Sequence, residues 1–279
     1  MTLNQNKLGL GTVQFGQSYG VSNQRGQVPK GEVAAILDRA LKAGVRLLDT
    51  AANYGDAEAV LAGFDLSPFR VVTKTINLSN GLDAVVARAR QSAERLKADT
   101  LLVHAAADLA DNRLWPALQR LKAEGVFTRI GISVYAAEKP AELAERFKPD
   151  VMQLPFSVLD QRLLADGTLA RLAELGVEVH ARSLFLQGLL LMETLPQKLR
   201  AAQPELDRVR AQIAEAGSTP LATALGFVLS HSQIGIGLVG VTSLVELEEI
   251  LTVAACPLPT LNWSSLALKD ERLLTPSLW

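Results

Sequence analysis

The sequence predicts an α/β fold of the (β/α)8 TIM barrel type, and three observations predict it. Short β-rich segments alternate with longer segments of helical period along the chain. Eight such β-then-helix units fit within about 250 residues, which is the arithmetic of this barrel. No linker, low-complexity tract or shift in composition divides the 279 residues. The expectation is one barrel domain over 1–279 with a short C-terminal segment.

The elements follow in order. Strands are predicted at 7–11 (KLGLG), 45–49 (VRLLD), 69–74 (FRVVTK), 100–104 (TLLVH), 128–133 (TRIGIS), 150–155 (DVMQLP), 177–182 (VEVHAR) and 235–240 (GIGLVG). Between the first two, PKGEVAAILDRALKAG places Val33, Ile36, Leu37 and Leu41 on one helical face, with Pro29 near its start and Gly44 as a stop. Helical patterns recur at 81–99, 112–125, 138–150 and 166–176, most of them ended by Gly or Pro before the next strand. A doubly wound sheet is the competing architecture, but GLGTVQFG at 9–16 has the wrong glycine spacing for its phosphate turn. Gly235, Gly237 and Gly240 do spell G-x-G-x-x-G, a weak motif followed by too few residues for a nucleotide-binding half. In a barrel the same residues end the eighth strand, where phosphate is often bound at a helix N-terminus. VTSLVELEEIL supplies that helix, with Thr242 or Ser243 as its N-cap.

Composition sets limits. Apolar residues make up 48% and charged residues 20%, enough for a large core, and a net charge of -1 argues against nucleic acid as a partner. One cysteine, Cys256, rules out a disulfide framework and a multi-cysteine metal site, so no metal and a reducing, cytoplasmic setting are expected. The N-terminus lacks the apolar core of a signal peptide, and no run approaches about 18 apolar residues, so no membrane span is expected.

The candidate chemistry lies where strands end. RLLDTAANYG finishes an apolar run with Asp49 and follows it with Tyr54; RVVTK ends in Lys74 and LLVH in His104. Barrel active sites gather at the C-terminal ends of the strands, so these side chains face one mouth. Singly, each has a plain structural reading: a cap, a loop tyrosine, a solvated strand end, a structural histidine. Together they make a proton donor. An ammonium at Lys74 stabilises the phenolate of Tyr54, Asp49 holds Lys74 charged, and His104 orients a substrate oxygen. No side chain donates hydride, so reduction of a carbonyl carbon requires a nicotinamide or flavin cofactor.

With these residues in place, the chain resembles the aldo-keto reductase family. LLDTAANYG is similar to that family's strand-two motif, LGLGT (8–12) to its first strand, and IGIS (130–133), MQLPFS (152–157), ARSLFLQGLL (181–190) and LVGVTSLVELEEIL to its later units. The resemblance implies a catalytic tetrad of Asp49, Tyr54, Lys74 and His104, and a monomer or weak homo-oligomer that binds NADP or NAD. It implies that Gly11 and Thr12 line the nicotinamide, that Ser133 and Gln153 meet its carboxamide, and that Ser183, Leu184 and the Gly240–Ser243 turn meet the pyrophosphate and adenosine end. The chain departs from the family pattern in carrying Val134 where Asn is frequent, and Arg182 where an aromatic often stacks on the nicotinamide. From Ser232 to Ala255 it has no Lys or Arg, and Glu246, Glu248 and Glu249 stand in the helix. A carboxylate repels a 2′-phosphate and accepts from a ribose diol, so Glu246 is expected to contact the ribose and NADH to be tolerated or preferred.

The expected activity is reduction of an aldehyde or ketone, or oxidation of the alcohol, on a small molecule. Two other readings compete: a nucleotide-sensing regulatory barrel with incidental catalysis, and a metal-dependent hydrolase or lyase, which the three histidines argue against. Trp115 and His180 are expected to pack within the fold, and His231 to lie in a helix. Phe15, Tyr19, Trp263 and Trp279 are candidates for the pocket wall.

Overall fold

Eight parallel strands close into a barrel in sequence order: β1 (Leu8–Gly11), β2 (Leu47–Asp49), β3 (Arg70–Lys74), β4 (Thr100–Val103), β5 (Arg129–Ser133), β6 (Val151–Pro155), β7 (Glu178–Arg182) and β8 (Ile236–Gly240). The structure is a computed structural model and describes residues 5–257, 259 and 261–279. Closure is made by β8 pairing back onto β1, with Leu8 beside Gly237 and Gly11 beside Gly240. The fold class and the eight strands read from the sequence are therefore present, each strand within two residues of its expected bounds.

Successive side chains of a strand face opposite sides, and here both sides are buried. Leu47, Val72, Leu102, Val151 and Leu238 fill the barrel interior as one cluster. Their neighbours Leu48, Val71, Leu101, Met152, Val179 and Val239 face outward into the core shared with the helices. This double burial is why the strands read as unbroken apolar runs.

The helix Lys30–Lys42 shows how the outer layer forms. Val33, Ile36, Leu37 and Ala40 are its buried residues, the i, i+3, i+4, i+7 set. Ala40, and not Leu41, completes the stripe. The helix ends in a Schellman motif: Val45 N–H donates to Ala40 O (3.0 Å) and Gly44 N–H to Leu41 O (3.0 Å). The motif needs a left-handed residue, and Gly44 supplies it at φ 92°.

Between β7 and β8 the chain inserts two helices, Gln203–Glu215 and Pro220–Ser230. The second buries every residue from Thr223 to Leu229. A helix apolar all round carries no amphipathic period, so sequence periodicity gives it no bounds. His231 caps its C-terminus. Among the described residues no helix is long and apolar enough to cross a membrane.

Candidate active site

Asp49 is the last residue of β2 and Lys74 the last of β3, so both side chains enter the C-terminal mouth of the barrel. His104 does not end its strand, as its sequence position suggests. It follows β4, because its N–H leaves the ladder and donates to Thr75 Oγ1 (3.1 Å). Tyr54 sits in the turn after β2, and that turn is pressed against the loop after β1. A Cβ on Gly16 would stand 1.9 Å from Tyr54 O and 2.2 Å from Ala57 N, so only glycine permits the approach. Asp56 N–H closes the contact by donating to Gly16 O (3.2 Å).

The four side chains meet. Lys74 Nζ donates to both carboxylate oxygens of Asp49 (2.8 and 2.7 Å), to Thr50 O (2.9 Å) and to Tyr54 Oη (3.3 Å). Gln153 Nε2 donates to the same carboxylate (2.6 Å). The Lys74 and Asp49 side chains are 1% and 6% exposed. Removing one partner of such a buried pair costs about 3–5 kcal/mol, so the pair fixes its own geometry. Burial is the largest single influence on Lys74 and would lower its pKa, but the charges and hydrogen bonds of Asp49 and Tyr54 together outweigh it and hold the ammonium above its usual range. The His104 ring lies edge-on to Tyr54, with centroids 5.8 Å apart. Burial, and after it the Lys74 charge, lowers the His104 pKa to about 4, so its imidazole is neutral near pH 7.

These groups open into a cavity of about 650 Å³, within the range of small-molecule sites. Asp49, Tyr54 and His104 line it, as do Gly11, Thr12, Ser133, Gln153, Arg182, Ser183, Leu184, Gly240, Thr242 and Glu246. Lys74 lies behind Tyr54 and does not reach the cavity wall. Ser243 does not line it either: it is the N-cap of the helix Leu244–Ala254, its Oγ accepting from Glu246 N–H (3.2 Å). Glu246 accepts from Thr242 N–H (2.6 Å) and Thr242 Oγ1 (2.8 Å). The loop after β7 is strained where it borders the cavity, with Ser183 and Gln187 at φ 62° and 55°.

Several expectations about the wall are corrected. Phe15 is fully buried in the core. Trp263 packs against Phe227 (5.6 Å), and Trp279 Nε1–H donates to Arg272 O (2.9 Å); neither lines the cavity. Tyr19 does line it. Trp115 packs on Phe147 (5.5 Å), and His180 is buried within the barrel against Glu178 (2.8 Å).

Sequence reasoning missed Tyr135, whose ring lies 4.3 Å beneath the Arg182 guanidinium, and Gln14 and Asn53 on the same wall. For Tyr135 the signal was its place two residues beyond Ser133, at the end of β5. Arg182 is steadied further by donating to Val134 O (3.0 Å).

The cavity suits an extended polar ligand. Gln14 Oε1 and His104 Nδ1 are buried in it without a partner. Buried polar atoms ordinarily find one, so a ligand that supplies the other half of each bond fits these residues, as the ribose and carboxamide groups of a nicotinamide dinucleotide do.

Comparison with known proteins agrees. The Aldo/keto reductase family model matches residues 7–271. An L-galactose dehydrogenase of Arabidopsis thaliana is 28% identical over 96% of this chain and 92% of its own length. A glyoxal reductase of Bacillus subtilis is 30% identical over 57% of this chain, a match that spans only 60% of that protein. An aldo-keto reductase of Bacillus halodurans, solved in its holo form, shares the fold with a TM-score of 0.74 and 20% identity, over 98% of this chain and 91% of that one. The chain therefore belongs to the Aldo/keto reductase family, a family of NAD(P)-dependent oxidoreductases.

Proposed function

We propose that the protein interconverts an aldehyde or ketone with its alcohol, Tyr54 exchanging the proton at oxygen. The observation that carries this reading is the contact of Lys74 Nζ with Tyr54 Oη at 3.3 Å, beside a neutral imidazole. A bound nicotinamide dinucleotide supplies or accepts the hydride at carbon. The chain's own residues do the rest. His104, uncharged, hydrogen-bonds the substrate oxygen and turns it toward Tyr54 without competing as an acid. As negative charge gathers on that oxygen, Tyr54 gives it a proton, and the Lys74 ammonium balances the phenolate left behind. Asp49 keeps Lys74 charged and aimed.

In this reading Gly11, Thr12, Ser133 and Gln153 hold the nicotinamide end of the dinucleotide. Arg182, Ser183, Leu184, Gly240, Thr242, Ser243 and Glu246 attend its pyrophosphate and adenosine end. The absence of Lys and Arg from 232 to 255 favours NADH. A lone, exposed Cys256 suits a reducing compartment such as the cytoplasm. Tyr19, Asn53 and Tyr135 give the wall hydroxyl and amide groups. With the long match to an L-galactose dehydrogenase, they make hydroxylated carbonyls the first substrates to try.

The test is loss of reduced-nicotinamide absorbance when purified protein meets short and hydroxylated aldehydes, with the reverse assay on the alcohols. Turnover is expected. No turnover in either direction, with either dinucleotide, contradicts the proposal.

A further inference from the structure

Glu58, on the helix Ala57–Leu61, is a carboxylate only 2% exposed that does not line the cavity. It accepts from Thr73 Oγ1 (2.6 Å), from Arg88 Nη2 (2.5 Å) and from Ser92 Oγ (3.1 Å). Arg88 and Ser92 belong to the helix Leu82–Leu96 and are bonded to each other. Well-packed apolar side chains often hold a fold as firmly as a buried ion pair does, so stability alone is no reason for a carboxylate here. What the carboxylate joins is a better reason. Glu58 comes four residues after Tyr54, and Thr73 comes one residue before Lys74. Successive side chains of a strand face opposite sides, so Thr73 meets Glu58 outside the barrel while Lys74 reaches Asp49 and Tyr54 inside it. The helix that carries Glu58 starts directly after the Tyr54 turn, with Ala57 N–H donating to Tyr54 O (3.0 Å). It has five residues and no side-chain cap, and so short a helix does not sustain itself.

We infer that Glu58 is a positioning residue for the proposed proton transfer: through Thr73 it clamps the segment that carries Tyr54 to the strand that carries Lys74, and so sets the phenol against the ammonium. The inference rests on the oxidoreductase reading above. Gly16 admits the Tyr54 turn from the side of the loop after β1, and Glu58 ties it from the side of β3. The contact at stake is the weakest that Lys74 makes, 3.3 Å to Tyr54 Oη against 2.7–2.9 Å to Asp49 and Thr50. A reacting group misplaced by about 1 Å can cost about a hundredfold in rate.

The experiment measures kcat and KM for the aldehyde that the wild type turns over fastest, and the dissociation constant for NADH, in Glu58→Ala, Glu58→Gln and Thr73→Val. Each is made alone and together with Tyr54→Phe. Thr73→Val cuts the link from the strand side and leaves Glu58 paired with Arg88. It is expected to lower kcat and kcat/KM together by roughly 3–10-fold with NADH binding unchanged, the signature of an interaction that counts only in the transition state. Glu58→Ala is expected to lower both by roughly 10–100-fold, and Glu58→Gln, which still accepts from Thr73, to return to within about threefold of wild type. In the Tyr54→Phe background the same changes are expected to cost little more, because the hydroxyl they position is gone. Wild-type kcat in Thr73→Val overturns the inference, also where Glu58→Ala fails to fold, since Glu58 then serves stability alone. So does an equal loss in the Tyr54→Phe background, or a loss of kcat matched by weaker NADH binding. Each of these leaves the oxidoreductase reading standing. No turnover by the wild type overturns that reading and the inference with it.

Discussion

His104 carries the clearest pH dependence at the scale of single residues. Its pKa falls from an ordinary 6.5 to about 4 in the folded chain, through burial and then the Lys74 charge. Between those values the unfolded chain holds the proton and the folded chain does not. Stability therefore falls as pH drops through that window and is fully present above about 6.5, an effect of up to about 3 kcal/mol. Denaturant midpoints at pH 7 and pH 4.5 are expected to differ more for the wild type than for His104→Gln, which has no proton to take up; equal pH dependence in both contradicts the assignment. The residue types that compose the tetrad were legible because ionisable side chains stand out at the ends of apolar runs. Gln14 was not legible, because its place on the wall follows from a packed neighbour that no local pattern records, and Tyr135 left only its position just beyond the end of β5 as a signal.

Between elements, the decisive contact is the loop after β1 against the turn after β2. It sets where Tyr54 stands, and Gly16 is what allows it. Gly16→Ala is expected to destabilise the protein by about 1–3 kcal/mol through overpacking and to lower kcat. Gly31→Ala makes the same chemical change inside the helix Lys30–Lys42, where an added Cβ meets nothing within 4 Å. It is expected to stabilise by about 0.5–1 kcal/mol and to leave kcat alone. Chemical denaturation beside steady-state assay separates the two; a Gly16→Ala protein of full stability and activity contradicts the contact. The strands were legible because both faces of a barrel strand are buried and Gly or Pro brackets the runs. The helix Pro220–Ser230 was not, because burial on nearly every side erases the polar face that periodicity needs.

Across the whole molecule, the barrel brings together groups that lie far apart along the chain. Asp49 and Lys74 end two strands, Tyr54 and His104 sit in the loops after two strands, and Gln153 joins from β6. Only closure of the sheet puts Gln153 within 2.6 Å of Asp49, 104 residues away. The barrel was legible from eight repeated units, and with it the convergence of the strand ends. The charge pattern beyond β8 was legible in part: Glu246 could be named, but the reach of Glu32 to Leu244 N–H and of Arg25 to Thr242 O depends on how distant segments dock. In the proposed reaction a phenol held against an ammonium exchanges the proton, and Tyr54→Phe tests this most directly because the ring stays and only the hydroxyl goes. The kcat for a hydroxylated aldehyde is expected to fall by roughly 10²–10⁴ while the dissociation constant for NADH is unchanged; a variant that keeps wild-type kcat would contradict proton exchange by Tyr54.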